Sequence, residues 1–126
     1  MDLGLSDEQE LLVDTFRSLL AKESDPEAVR AAEGTGFDPD LWRSLRATGA
    51  VAMAVPEEHE GWGASLLDLA LVAEQAGRAA APAPLVETQI AARLLARVAS
   101  PPALDALRGA LDDRIVTLAV RPTAAA

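Results

Sequence analysis

The sequence predicts an all-α bundle of about five to six helices, closed by one short β-strand at its C-terminal end. Three observations carry that expectation. Alanine is the commonest of the 126 residues and arginine supplies all but one of the basic side chains, Lys22 being the exception; both residue types favour helix. Aromatic residues make up only 3% and tyrosine is absent, so strand formers are scarce. Apolar positions recur three and four apart behind Ser, Asp and Pro start signals until the β-rich run 115–120 breaks the pattern.

The first helix begins at Ser6, which has capping-box spacing to Gln9, with Asp7 and Glu8 in the favourable first turn. Leu12, Phe16, Leu19 and Leu20 share one face, and Leu5 can staple onto it. Asp25-Pro26 reads as a break, followed by a short helix over 27–33 and a loop at Gly34-Thr35-Gly36. Asp38-Pro39 opens the next helix, whose stripe is Leu41, Trp42 and Leu45 and whose end is marked by Gly49. The small apolar run 50–55 reads as a possible strand stopped by Pro56, and 56–63 as a polar loop. Ser65 and Asp68 start a helix to about residue 80 that is broadly apolar and therefore expected to be central and largely buried. Beyond Pro82 and Pro84, a helix over 85–99 places Leu85, Ile90, Leu94 and Leu95 inside and Arg93 and Arg97 outside. Ser100-Pro101-Pro102 starts the last helix, to about 111. The division expected is a helical domain over 1–113 and, from 114 to 126, the strand 115–120 with its tail. A lone strand must pair with something the helices do not provide.

Charge and composition remove several function classes. Eleven Lys and Arg stand against 20 Asp and Glu, a net charge of −9, which argues against nucleic acid and membrane surfaces as partners. There is no cysteine and only His59 among histidines, which leaves no thiolate or multi-histidine metal site. With no basic leader and no apolar stretch near the roughly 20 residues that span a bilayer, the expectation is a soluble, cytoplasmic protein.

Individual residues give no complete reacting group. Glu57, Glu58, His59 and Glu60 are contiguous in a loop, point different ways and read as a solvated acidic segment. Gly61-x-Gly63 lacks the third glycine of a dinucleotide turn, since position 66 is Leu66. Trp42 and Trp62 read as packing residues. Ser65 resembles the prosthetic-group serine of acyl carrier proteins in position, but Ala64 breaks that pattern, and helix capping accounts for it. Glu74 pairs most simply with Arg78, four residues on, and Glu87 sits at a helix edge.

The order of features is more specific than any single one. Ser6-x-Glu8-Gln9-x-Leu11-Leu12, Phe37-x-x-x-Leu41-Trp42-x-x-Leu45, Gly49, Ala54-Val55-Pro56-Glu57-Glu58, Gly61-x-Gly63, Leu69-x-Leu71-Val72-x-Glu74-Gln75 and Gly77-Arg78 follow one another. Together, over residues 3–120, they closely resemble the N-terminal helical domain of the acyl-CoA dehydrogenases. That family oxidises acyl-CoA thioesters to α,β-unsaturated products, a glutamate removing the α-proton and FAD taking the β-hydride. The resemblance implies that FAD is held mainly outside this chain, that no catalytic residue lies within it, and that 115–120 enters a β-domain. It also implies that Ala83, Pro84, Leu85, Thr88 and Gln89 line the acyl tail. The partners it implies are the acyl-CoA thioester and the remaining domains or subunits of a homo- or hetero-oligomeric enzyme. Relatives often have two adjacent glycines where this chain reads Glu60-Gly61, which narrows the backbone choices there. Pro82 and Pro84 are a second departure, one that can reshape the tail pocket. Three readings follow: the N-terminal part of a flavin-dependent acyl-CoA dehydrogenase, which alone binds no flavin and turns over no substrate; a non-catalytic helical subunit completing another chain's site; and a carrier modified at Ser65.

Overall fold

In the computed structural model, which describes residues 4–119, the start signals become helix caps. Ser6 Oγ accepts from the Gln9 amide at 3.2 Å while the Gln9 side chain accepts from the Ser6 amide at 3.1 Å, opening α1 (Asp7–Glu23). Val13, Phe16 and Leu20 form its buried line, with Leu12 and Leu19 half-buried beside it. Asp25-Pro26, expected to interrupt the chain, instead starts α2 (Pro26–Ala31) one residue earlier than the sequence suggested. Proline forces the residue before it into extended backbone, and an N-cap requires that same conformation; Asp25 Oδ1 accepts from the Ala28 amide at 2.8 Å. Asp38 repeats the device ahead of α3 (Pro39–Ala47), which buries Leu41, Trp42 and Leu45.

The run 50–55 is not a strand. It forms a 3₁₀ turn, Ala52–Ala54, at the centre of the core, with Val51, Met53, Ala54 and Val55 all buried. Among the described residues no strand offers it a ladder, and local bonds and the returning loop satisfy its backbone: Trp62 donates to Ala52 at 3.0 Å, Gly63 to Val55 at 2.9 Å and Ala64 to Met53 at 3.0 Å. A second 3₁₀ turn, Glu57–His59, precedes Glu60, which takes the left-handed conformation at φ 66°. That region costs a non-glycine residue roughly 1–2 kcal/mol, offset in part by the extra chain entropy of glycine. Because the Glu60 side chain is exposed, Glu60→Gly is expected to stabilise the fold by about 0.5–1 kcal/mol, read as a raised denaturant midpoint at constant m-value.

α4 (Leu66–Arg78) opens on a second capping box, Ser65 with Asp68. Asp68 does double duty: it accepts from the Ser65 amide at 2.9 Å and from the Gln9 side chain of α1 at 3.0 Å. The Gln9 bond first, then the Ser65 hydroxyl, hold its carboxyl below the usual 3.8, against a smaller opposing effect of burial. A folded-state pKa below the unfolded value makes the contribution complete above the ordinary carboxylate range and lost as pH falls through the lowered pKa. Asp68→Ala is therefore expected to cost about 1 kcal/mol at neutral pH, with the gap to the parent protein closing in acid; urea melts at two pH values check it.

α1 packs along α4, and α4 is half-buried rather than enclosed: Leu69, Val72, Gln75 and Ala76 face inward, while Leu66, Leu67 and Ala70 are exposed. α5 (Leu85–Val98) departs further from expectation. Leu85 is buried as expected, Leu95 is half-buried, and Ile90 and Leu94 lie outside; the buried face is completed by Thr88, Gln89, Ala91, Ala92 and Ala96. The reason is close approach. α5 lies against both α6 (Pro101–Asp112) and the central 3₁₀ turn, and α6 buries Ala103, Leu107 and Ala110, so close packing of these elements favours the small residues inside.

Arg46, at the last turn of α3, donates to Asp113 at 2.8 Å and to the Leu111 carbonyl at 3.2 Å, fixing where the chain leaves α6. Residues 114–119 carry no regular structure, no strand occurs among the described residues, and position 120 of the expected strand lies outside them.

Candidate functional site

The departures in α4 and α5 create one feature. The two helices diverge enough to leave an open groove of about 890 Å³ between them, floored by Leu69 and Gln89 and closed at one end by the 56–64 loop. Its α4 wall is made of small residues, Ala70 and Ala73, with Leu66 at the mouth; its α5 wall is the exposed ridge Val86, Ile90 and Leu94. This ridge recurs every four residues, so it stands on one helix face over about 12 Å. Arg93 and Arg97, one turn apart on α5, occupy the end nearest the start of α4. Arg93 donates to the Ala64 carbonyl at 3.3 Å. Neither arginine forms an ion pair among the described residues, whereas Glu74 and Arg78 pair at 2.7 Å as expected from their spacing. Glu58 and His59 also reach the rim, 3.9 Å apart.

The five residues expected to meet an acyl tail are divided by the fold. Ala83 and Pro84 are half-buried in the turn before α5. Leu85 and Thr88 are buried in the core, and the Thr88 hydroxyl has no hydrogen-bond partner. Gln89 alone lines the groove, and its amide nitrogen is committed to the Ala50 carbonyl at 2.7 Å. Sequence reasoning missed Val86, Ile90 and Leu94 as surface; the signal was their spacing combined with the alanines on the opposite face. Trp62 is 54% exposed instead of packed, although its ring covers Gly49, whose φ of 85° ends α3. Trp42 is buried as expected, its indole nitrogen unpartnered.

Chemically the groove suits apolar matter. Among the described residues no cluster of His, Cys, Asp or Glu could hold a metal ion, and no helix is long and apolar enough to cross a membrane. At the start of α4 the Asp68 amide donates to Ser65 Oγ and the Asp68 carboxylate accepts from the Ser65 amide. Ser65 is a helix cap in the structure.

Comparison with known proteins places this architecture. The family model described as acyl-CoA dehydrogenase, N-terminal domain, matches residues 6–103. The chain is 47% identical over 90 residues to the acyl-CoA dehydrogenase IpdE2 of Mycolicibacterium smegmatis, covering 69% of this chain and 29% of that protein. It is 43% identical over 100 residues to the protein of the same name from Mycobacterium tuberculosis, covering 77% of this chain and 31% of that protein. The chain thus spans less than a third of the length of these curated relatives. No solved structure gives a significant match.

Proposed function

Since the chain belongs to the acyl-CoA dehydrogenase family, as its N-terminal domain, we propose that it forms one wall of the acyl-tail pocket of an FAD-dependent enzyme that desaturates acyl-CoA thioesters. The observation that carries this reading is the apolar groove between α4 and α5, in which Gln89 lies among Ala70, Ala73, Val86, Ile90 and Leu94. Each methylene buried there is worth roughly 0.8 kcal/mol. Within the five residues assigned to the tail, Gln89 contributes from the groove floor, Ala83 and Pro84 from the turn, and Leu85 and Thr88 from behind, by fixing the start of α5. When bound, FAD supplies the hydride acceptor; flavin and catalytic base are assigned to polypeptide outside this chain, and no residue here acts on the reacting atoms. The site serves a cytoplasmic, oligomeric enzyme of lipid metabolism.

A chimera tests it: this chain in place of the matching stretch of the Mycolicibacterium smegmatis relative. The chimera is expected to hold flavin and to reduce an electron acceptor when given an acyl-CoA, while the 126-residue chain alone is colourless and inert. A free chain that purifies with stoichiometric flavin, or a flavin-loaded chimera inert to every acyl-CoA from short to ring-bearing, overturns the proposal. The exposed α5 ridge also favours a second reading, a non-catalytic helical subunit that completes another chain's site; that reading predicts that the free chain restores activity in trans.

A further inference from the structure

We propose that Gln89 is a specificity-determining residue, its side-chain oxygen accepting a hydrogen bond from a hydroxyl group that the acyl moiety carries beyond its reacting carbons. The inference rests on the reading above and deepens it by naming the substrate class, hydroxylated acyl-CoA thioesters. Gln89 is only 2% exposed, and the two ends of its carboxamide are in different situations. Nε2 donates to the Ala50 carbonyl at 2.7 Å. A carbonyl can accept only from the NH₂ end, so this bond fixes which way round the group lies. Among the described residues nothing donates to Oε1. Nor is Oε1 sealed in the core, because the side-chain atoms there that are both buried and unpartnered are Trp42 Nε1 and Thr88 Oγ1. Oε1 therefore keeps contact with open space, and the cavity that Gln89 lines is the α4–α5 groove.

Around that acceptor the groove is apolar, with Leu69, Ala70, Ala73, Val86, Ile90 and Leu94. A water on Oε1 would lack the roughly two to four polar partners that hold one in place, so an entering tail displaces it. A plain alkyl tail then leaves a buried acceptor unpaired, which counts against binding; a hydroxyl on the facing carbon pairs with it. One fixed polar group in an apolar cleft is how such sites tell ligands apart. A site built to bond a hydroxyl also rejects the analogue lacking it far more strongly than a pocket rejects an extra methylene. The donor class narrows further. An ammonium group would be repelled by Arg93 and Arg97, which line the same groove. An amide N–H would bring a carbonyl that the apolar walls leave unpaired. A hydroxyl incurs neither penalty.

The experiment gives the chimera decanoyl-CoA and its hydroxydecanoyl isomers, the hydroxyl placed on successive carbons beyond the β-carbon, and reads kcat/KM for each. One isomer, or a neighbouring pair, is expected to exceed decanoyl-CoA by about tenfold. Gln89→Met keeps the volume and removes the acceptor, and is expected to bring that ratio to about one. A purely structural role for Gln89 would lower every substrate together and leave the ratio as it was. A chimera that oxidises decanoyl-CoA but ranks no isomer above it, or a ratio that survives Gln89→Met, overturns the inference and leaves the proposed function standing. A chimera inert to every acyl-CoA overturns that function instead. The role of Gln89 is then decided on the free chain, as it is if the Gln89→Met chimera loses its flavin. There, decanoate and the hydroxydecanoates are titrated into isotope-labelled protein. One hydroxydecanoate is expected to bind about tenfold tighter than decanoate and to move the Gln89 side-chain carbonyl resonance downfield, the sign of a new hydrogen bond. Equal affinities, absent binding or an unmoved Gln89 resonance each overturns it.

Discussion

Phe16→Ala is expected to cost about 3–5 kcal/mol, the range for removing a buried phenylalanine. Phe16 is 1% exposed and sits midway along α1, between Val13 and Leu20, on the face that packs along α4. Little can move in to fill the space. It belongs to the same buried cluster as Val72 and Ala76 of α4 and Met53 of the 3₁₀ turn, and that turn is held by backbone bonds from both sides. The loss is a large share of the 5–15 kcal/mol that stabilises ordinary domains. Guanidinium melts at unchanged m-value should show it, and Phe16→Leu should recover more than half. A cost below about 1 kcal/mol would mean that α1 is not anchored through this side chain.

Gly61→Ala is the second large effect, and its cause is different. The backbone of Gly61 is not in the left-handed region. Its Cα rests directly on the backbone and side chain of Val55, so that an added methyl would overlap the Val55 carbonyl. Val55 is fully buried and its carbonyl accepts from Gly63, so relief requires the loop to lift off the core. Overpacking of this kind costs about 1–3 kcal/mol, and breaking the returning-loop bonds adds about 0.5–1.5 kcal/mol each. A fall in Tm on the order of 10 °C is expected. The companion Gly63→Ala separates the mechanisms: Gly63 has φ 63° but its Cβ direction meets only ordinary contacts, so it should show the smaller penalty of the left-handed region. Equal effects from the two substitutions would contradict the close-approach account.

The groove was the least legible part of the chain in one dimension. Apolar periodicity in 85–98 is genuine, but two faces of that helix are apolar, one built from alanines and one from Val86, Ile90 and Leu94. Ranking by side-chain size puts the larger residues inside. The choice between the faces is made by how near α6 and the central turn come, a distance between elements that no window of sequence contains. The same holds for 50–55: a short apolar run suits either a strand or a buried turn, and only the lack of a pairing partner decides. Asp25-Pro26 is another matter, since the chemistry that starts a helix was present and was read as a stop, although the same dipeptide at Asp38-Pro39 was read as a start.

Sequence alone determined the helix starts, because Ser6, Asp38, Ser65 and Ser100 cap through bonds to residues two or three positions away, and it determined the family, because an ordered set of such local features is specific even when each is weak. Tertiary structure decided which face of each helix is inside, where Gly61 must be small, and that α4 and α5 part to leave a groove. Those depend on distances between segments far apart in the chain, which packing sets and local chemistry does not.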